Sequence, residues 1–243
     1  MGLVLAVDGP GGAGKGTVCN IASKILGYPY LDTGLLYRAV ALKIVAKNVT
    51  NIESHAIEFA GTLKLEDLNK VGLRDPEVSN LSSKIAIIPE VRERLLSFQI
   101  EFSRDSRGAI LDGRDIGARV CPNADIKFYI TASLEVRAKR RWIETIKLNP
   151  SETLSKVKAD LMKRDTRDRS RSLAPLIKAE DALLIDTSEL TIDASVKLFI
   201  DAVNEKLNNH DVFLAIMGQE VDFSFENNKL HEYMNRNNTI ICF

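Results

Sequence analysis

With 243 residues, 45% of them hydrophobic, the chain has the material for one α/β domain with small insertions around a full core. Its 33 basic and 33 acidic residues balance, which argues against a general polyanion binder and so against a nucleic-acid partner. Three cysteines, Cys19, Cys121 and Cys242, are too widely spaced for a metal knuckle and too odd in number for a disulfide framework, so a reducing compartment, the cytoplasm, is expected. No basic leader and no long apolar segment is visible, and neither export nor a membrane span is expected.

Leu3 to Val7 reads as a buried parallel strand. It feeds Gly9-Pro10-Gly11-Gly12-Ala13-Gly14-Lys15-Gly16-Thr17, and apolar positions from Val18 to Leu26 then recur at helical spacing until Gly27 and Pro29 stop them. Tyr30 and Leu31 lead into Asp32-Thr33-Gly34, a turn and helix cap before a helix over Leu35 to Ala46. Asn51 to Pro76 is less regular, with a short helical run over Glu53 to Ala60 and punctuation at Gly61, Gly72 and Pro76.

A long helical pattern through Val91, Leu95, Phe98 and Phe102 ends near Gly108, where Ala109 to Leu111 reads as a core strand ending in Asp112. Ile126 to Ile130 is a third strand, followed by a helix from Leu134 to about Thr145. Pro150 and Ser151 open a further helix that runs through Met162 into an arginine-rich stretch. Ala182 to Ile185 is the last core strand, covered by a helix with the stripe Ile192, Val196, Phe199 and Val203. Strands alternating with helices of this length give a parallel sheet covered on both faces. Beyond Leu207 the pattern is lost: Val212 to Met217 reads as a short strand and Asn227 to Asn238 as a polar tail.

The loop matches G-x-x-x-x-G-K, with Gly16 in the usual serine or threonine position and Thr17 after it. Strand before and helix after are the context this motif requires. The glycines let successive N–H groups turn inward at a helix N-terminus, forming an anion nest, and Lys15 adds a point charge for the outer phosphates. This pattern points to a nucleoside triphosphate, with Thr17 the candidate hydroxyl for Mg²⁺. Asp8 can set the loop or the water around the metal, or can be an ordinary acid approaching a helix.

Hydrolases, switches and kinases share such loops, so the discriminating residues lie elsewhere. Arg38 sits five residues after Thr33; a surface salt bridge is its alternative reading. Asp112-Gly113-Arg114-Asp115-Ile116-Gly117 puts one cation and two carboxylates at the C-terminal end of a parallel strand, where open α/β folds bind ligands. Arg164, Arg167, Arg169 and Arg171 follow, interleaved with Asp165 and Asp168. Arginine forks on a movable insertion suit phosphoryl-transfer charge, with a solvated helix face and an RNA-binding patch as alternatives. His55, His210 and His231 are scattered, and no convincing nucleophile stands out, which fits direct in-line transfer.

Taken together, Asp8 to Thr17, Leu31 to Arg38, Asp112 to Gly117, Arg164 to Arg171 and Ala174-Pro175-Leu176 resemble the bacterial cytidylate kinases, across roughly residues 3 to 207. The resemblance implies a three-layer αβα sandwich with a central five-stranded parallel sheet. It implies a kinase domain over 1–207, with core 1–32, 108–148 and 180–207, acceptor-binding insertion 33–107, lid 149–179, and an extension over 208–243. It implies transfer from Mg²⁺-ATP to CMP or dCMP by a monomer, with another nucleoside-monophosphate kinase, such as a UMP/CMP kinase, as the nearest rival.

Residue by residue, the resemblance puts Thr33, Arg38 and Arg114 around the acceptor phosphate and Ser83, Arg92 and Asp115 on the cytosine. Asp168 meets the acceptor sugar, Arg164 and Arg171 meet sugar or phosphate, and Arg167 and Arg169 belong to the ATP side. Lys15, Arg38, Arg114, Arg164 and Arg171 neutralise the moving charge. Two departures stand out: Thr62 to Pro76 is too short for the family's larger acceptor-side sheet, and the tail outruns the family's usual end.

Overall fold

The computed structural model describes residues 2–147 and 149–216. Five strands, β1 (Val4–Asp8), β2 (Tyr30–Asp32), β3 (Ala109–Gly113), β4 (Ile126–Thr131) and β5 (Leu183–Asp186), form one sheet in the order β2-β3-β1-β4-β5, parallel throughout. The apolar runs of β1 and β3 are buried on both faces, as expected of strands with helices above and below. β2 is the strand that the sequence hides: three residues long and at an edge, it pairs Tyr30 with Ile110 and Asp32 with Asp112.

One face of the sheet is covered by α1 (Lys15–Leu26) and α8 (Ile192–Ile216). Val18, Ala22, Phe199 and Val203 pack there on Leu5, Val7, Ile110 and Phe128, with the Phe128 and Phe199 rings stacked 4.1 Å apart. On the other face, α2 (Thr33–Lys47), α3 (Ile52–Gly61), α4 (Pro76–Ile85) and α5 (Pro89–Ser103) bury Leu36, Val40, Phe59, Ile85 and Leu95 against Leu31 and Leu111. Asn51 caps α3 by accepting from the Ser54 N–H, and Pro76 and Pro89 open α4 and α5 at a position where no N–H is needed. Pro76, read as punctuation, is therefore a helix start. The segment before it holds a 3₁₀ turn, Leu65–Asn69, and no strand.

α6 (Leu134–Ile146) and α7 (Leu154–Ser170) form an antiparallel pair with a small core of their own, Ala138, Val157 and Leu161, flanked by Leu134 and Trp142. α7 starts at Leu154, capped by Thr153, rather than at Pro150, and it stays helical through the arginine stretch to Ser170. Its repelling charges are tolerated because Asp165 and Asp168 face Arg137 and Arg114. The strand expected over Val212 to Met217 is corrected: α8 continues to Ile216, and Met217 and the asparagine-rich tail lie outside the described residues. No helix among the described residues is long and apolar enough to cross a membrane.

Candidate active site

Register brings Asp8 level with Gly113, and Val7 and Asp32 level with Asp112, so β1, β2 and β3 end on one rim. The phosphate loop leaves β1 at that rim. Gly9 turns at φ 149°, and a Cβ there would meet the Ile130 carbonyl at 1.9 Å, so only glycine fits. Lys15, buried at the start of α1, folds back and donates from Nζ to the Pro10 carbonyl at 3.0 Å. The same ammonium lies 3.6 Å from Asp112 Oδ1. Thr17, one turn face away, is exposed.

The loop is braced from behind by residues that the motif does not contain. Arg137, buried, donates to the Ala132 carbonyl at 2.9 Å and the Gly11 carbonyl at 3.2 Å, and pairs with Asp165 of α7 at 2.7 Å. Thr187 Oγ1, after β5, donates to the Ala13 carbonyl at 2.9 Å and accepts from Arg140 at the same distance. Beside this brace, a cavity of about 660 Å³ is lined by Arg137, Asp165, Thr166 and the exposed Arg169, among others.

Across the rim, Thr33 Oγ1 donates to the Asp112 carbonyl at 2.8 Å, a contact that Gly113 permits because a Cβ there would stand 2.7 Å from the hydroxyl. After β3 the chain makes a π turn, Ile116–Val120, of the kind that recurs at functional sites. Asp8 holds it, accepting from the N–H groups of Ile116 at 2.9 Å and Gly117 at 2.8 Å. Asp115, at the entrance to the turn, pairs with Arg92, which also donates to the Ala86 carbonyl at 3.2 Å and lies 5.7 Å from the Tyr37 ring centre. Arg114 donates from Nε to Asp168 Oδ2 at 3.0 Å, and Arg164 Nε stands 3.9 Å from the same oxygen. Arg167 donates to Ser83 Oγ at 2.7 Å.

The two halves adjoin: a Cβ built on Gly11 would lie 3.5 Å from Arg114 Nη2 and 4.0 Å from Arg164 Nε. Around that point positive charge outnumbers its protein partners. Buried nitrogens of Arg38 (Nε and Nη1), Arg164 (Nε) and Arg171 (Nε and Nη2) have no hydrogen-bond partner among the described residues. Burial lowers the Arg38 guanidinium to about 10. Burial, then the neighbouring Arg114 charge, lowers Arg164 to about 9. Lys15 is also lowered by burial, with Asp112 opposing. Burial pushes the Asp168 carboxyl up, but Arg114, Arg164 and Arg171 outweigh it and hold the carboxyl below its usual range. Partnerless buried donors around a glycine nest are an arrangement that phosphate oxygens satisfy.

The cytidylate kinase family model matches residues 5–205. The chain belongs to the cytidylate kinase family. It is 45% identical over 203 residues to a cytidylate kinase of Cereibacter sphaeroides (strain KD131), covering 84% of this chain and 96% of that one. The cytidylate kinase of Acidiphilium cryptum (strain JF-5) is 45% identical over 206 residues, covering 84% and 97%. Among solved structures, an uncharacterized protein from Eubacterium ventriosum aligns with a TM-score of 0.51 at 15% identity over 84% of this chain and 99% of its own, a likeness of fold.

Within this member of the family, Gly9 to Thr17, Thr33, Arg38, Arg114, Asp115, Arg92, Arg164, Asp168 and Arg171 all gather at the rim. Arg167, expected on the ATP side, turns its guanidinium to Ser83, a residue expected on the cytosine. Arg169, one helical position group further, faces the cavity beside Arg137. Sequence reasoning assigned no role to Arg137, Thr187 or Tyr37, and named the Asp112 carboxylate only as one of two at the ligand-binding end of a strand. Asp112 alone carried a signal, as the last residue of a core strand.

Asp8 gives a pH test. Burial raises its carboxyl to about 6 from an ordinary 3.8, while the two N–H bonds pull the other way. The folded protein therefore holds a proton that the unfolded chain releases between these values, and Asp8's contribution to stability falls as pH rises from about 4 to about 6. Relative to Asp8→Asn, the wild type should lose roughly 3 kcal/mol over that window and stay level above it, measured by urea denaturation. A pH-independent difference would show that folding does not raise the Asp8 carboxyl.

Proposed function

We propose that the chain transfers the γ-phosphoryl group of ATP to CMP or dCMP, giving ADP and CDP or dCDP. The observation that carries this reading is the border between the donor loop and the arginines: Gly11 adjoins Arg114 and Arg164, so two phosphate-binding regions meet at one point.

In this reading Gly9 to Thr17 grips the ATP phosphates, with Lys15 on the outer ones and Arg169 toward the nucleoside. Thr33, Arg38 and Arg114 hold the acceptor phosphate, while Asp115 accepts from the exocyclic amine of cytosine and Arg92 and Ser83 serve its carbonyl and ring nitrogen. Asp168 meets the sugar. An acceptor phosphate oxygen attacks the γ-phosphorus in line, the bond to the bridging β–γ oxygen breaks, and the electron pair leaves on ADP. Lys15, Arg38, Arg114, Arg164 and Arg171 match the charge on the equatorial oxygens, in a site where buried donors count for more than in water. The acceptor phosphate is already ionised near neutral pH, so no strong general base is needed.

Among the described residues no cluster of three or more acidic, histidine or cysteine side chains suits a metal, and Thr17 is exposed in the first turn of α1. That donor set fits Mg²⁺ held mainly by phosphate and water, with Thr17 beside it. When bound, the ion neutralises charge on the donor phosphates. Residues 149–179, which include α7, serve as the lid, and the enzyme acts as a cytoplasmic monomer.

ADP release measured with CMP, dCMP, UMP, AMP and GMP tests the reading. Turnover with CMP and dCMP, well above the other three, is expected. No acceptor-dependent turnover with any of them would sink the kinase reading, and equal rates with AMP and CMP would sink its cytosine selectivity. Asp115→Ala should raise the KM for CMP about tenfold or more, the worth of a good base contact. Its directly measured Kd for ATP should stay within about twofold; equal losses for both nucleotides would contradict the base-reading role.

A further inference from the structure

The loop's departure at Gly16 removes the hydroxyl that a serine or threonine would place beside Lys15. A Cβ at residue 16 would lie 3.5 Å from Tyr30 Oη and 3.8 Å from Asp112 Oδ2. The space that the missing side chain would enter is therefore bordered by another hydroxyl, brought from β2. Tyr30 Oη donates to Asp112 Oδ2 at 3.3 Å, and the opposite oxygen, Oδ1, faces Lys15 Nζ at 3.6 Å. Phenol, carboxylate and ammonium thus form a chain from the edge strand to the loop.

Among the described residues, Tyr30 is the one side chain that hydrogen-bonds the Asp112 carboxylate. Asp112 is buried, so rotation away from Tyr30 would leave an acceptor without a partner and would move the charge that faces Lys15. The phenol is a dependable donor. Burial, then the neighbouring Asp112 and Asp32 charges, pushes its pKa far up, and it stays protonated at any working pH.

We infer that Tyr30 is a positioning residue for phosphoryl transfer: its hydroxyl fixes the Asp112 carboxylate, and the carboxylate in turn keeps Lys15 aimed into the loop. The inference rests on the kinase reading above. It concerns orientation in the reacting complex, so it predicts a loss in kcat without a matching loss in nucleotide binding.

The test is a cycle of Tyr30→Phe, Asp112→Asn and the double variant in the full chain, with kcat, the KM for ATP and CMP, and the thermal midpoint measured for each. Tyr30→Phe should lower kcat about tenfold, the worth of a hydrogen bond to a charged group, with both KM values within about twofold. In the Asp112→Asn background the same change should cost less than about twofold, because the carboxylate charge it acts through is gone. A full kcat in Tyr30→Phe, or losses that multiply in the double variant, would overturn the inference.

The same cycle is read without turnover by the rate at which an acylating reagent modifies Lys15, mapped by peptide mass. That rate should change severalfold in each single variant and no further in the double; no change in Tyr30→Phe would overturn the inference. This second reading decides the matter if Asp112→Asn is too slow to assay. It also separates the two claims, since a wild type that fails to use CMP defeats the kinase reading while the labelling cycle still tests Tyr30.

Discussion

Cationic groups taken out of water and crowded at one end of a parallel sheet are the constraint around which the remainder of the molecule is arranged. Lys15 is buried, and the guanidinium nitrogens of Arg38, Arg164 and Arg171 include atoms that meet no acceptor among the described residues. Like charges in such a setting repel strongly and lose hydration, so they persist only where anions complete them. The protein supplies part of the compensation: Asp112 to Lys15, Asp168 to Arg114 and Arg164, and Asp115 to Arg92. What remains uncompensated has the charge and the forked geometry of phosphate recognition.

The scaffold explains how so much charge is held in place. Parallel register ends β1, β2 and β3 on one rim, and Asp8 spends both carboxylate oxygens on the π turn that carries Asp115. α7 then ties the halves together along a single helix. Asp165 reaches the phosphate loop through Arg137, Asp168 takes Arg114, and Arg167 meets Ser83.

Much of this was legible in the sequence, because its largest signals are local. Apolar runs marked β1, β3, β4 and β5, and the glycine string between a strand and an amphipathic helix marked the donor loop. β2 stayed hidden because three residues at an edge carry too little periodicity, and α4 because Pro76 looks like a stop as easily as a start. Val212 to Ile216 reads as a strand by composition, yet it prolongs a helix already anchored by Phe199 and Val203. Arg137 and Thr187 serve the loop across long sequence separations, and nothing in their neighbourhoods announces it. Arg167 and Arg169 are two apart on one helix, so they point to different faces, a distinction that a run of arginines conceals.

The central claim is that donor and acceptor phosphates share this one cluster of buried cations. Adenosine and cytidine joined 5′ to 5′ through a polyphosphate bridge would occupy both halves at once, and its binding can be followed by titration calorimetry. The account predicts one molecule bound per chain, at least about 100-fold more tightly than ATP or CMP alone, since the second contact is intramolecular. An affinity no greater than that of ATP would contradict it.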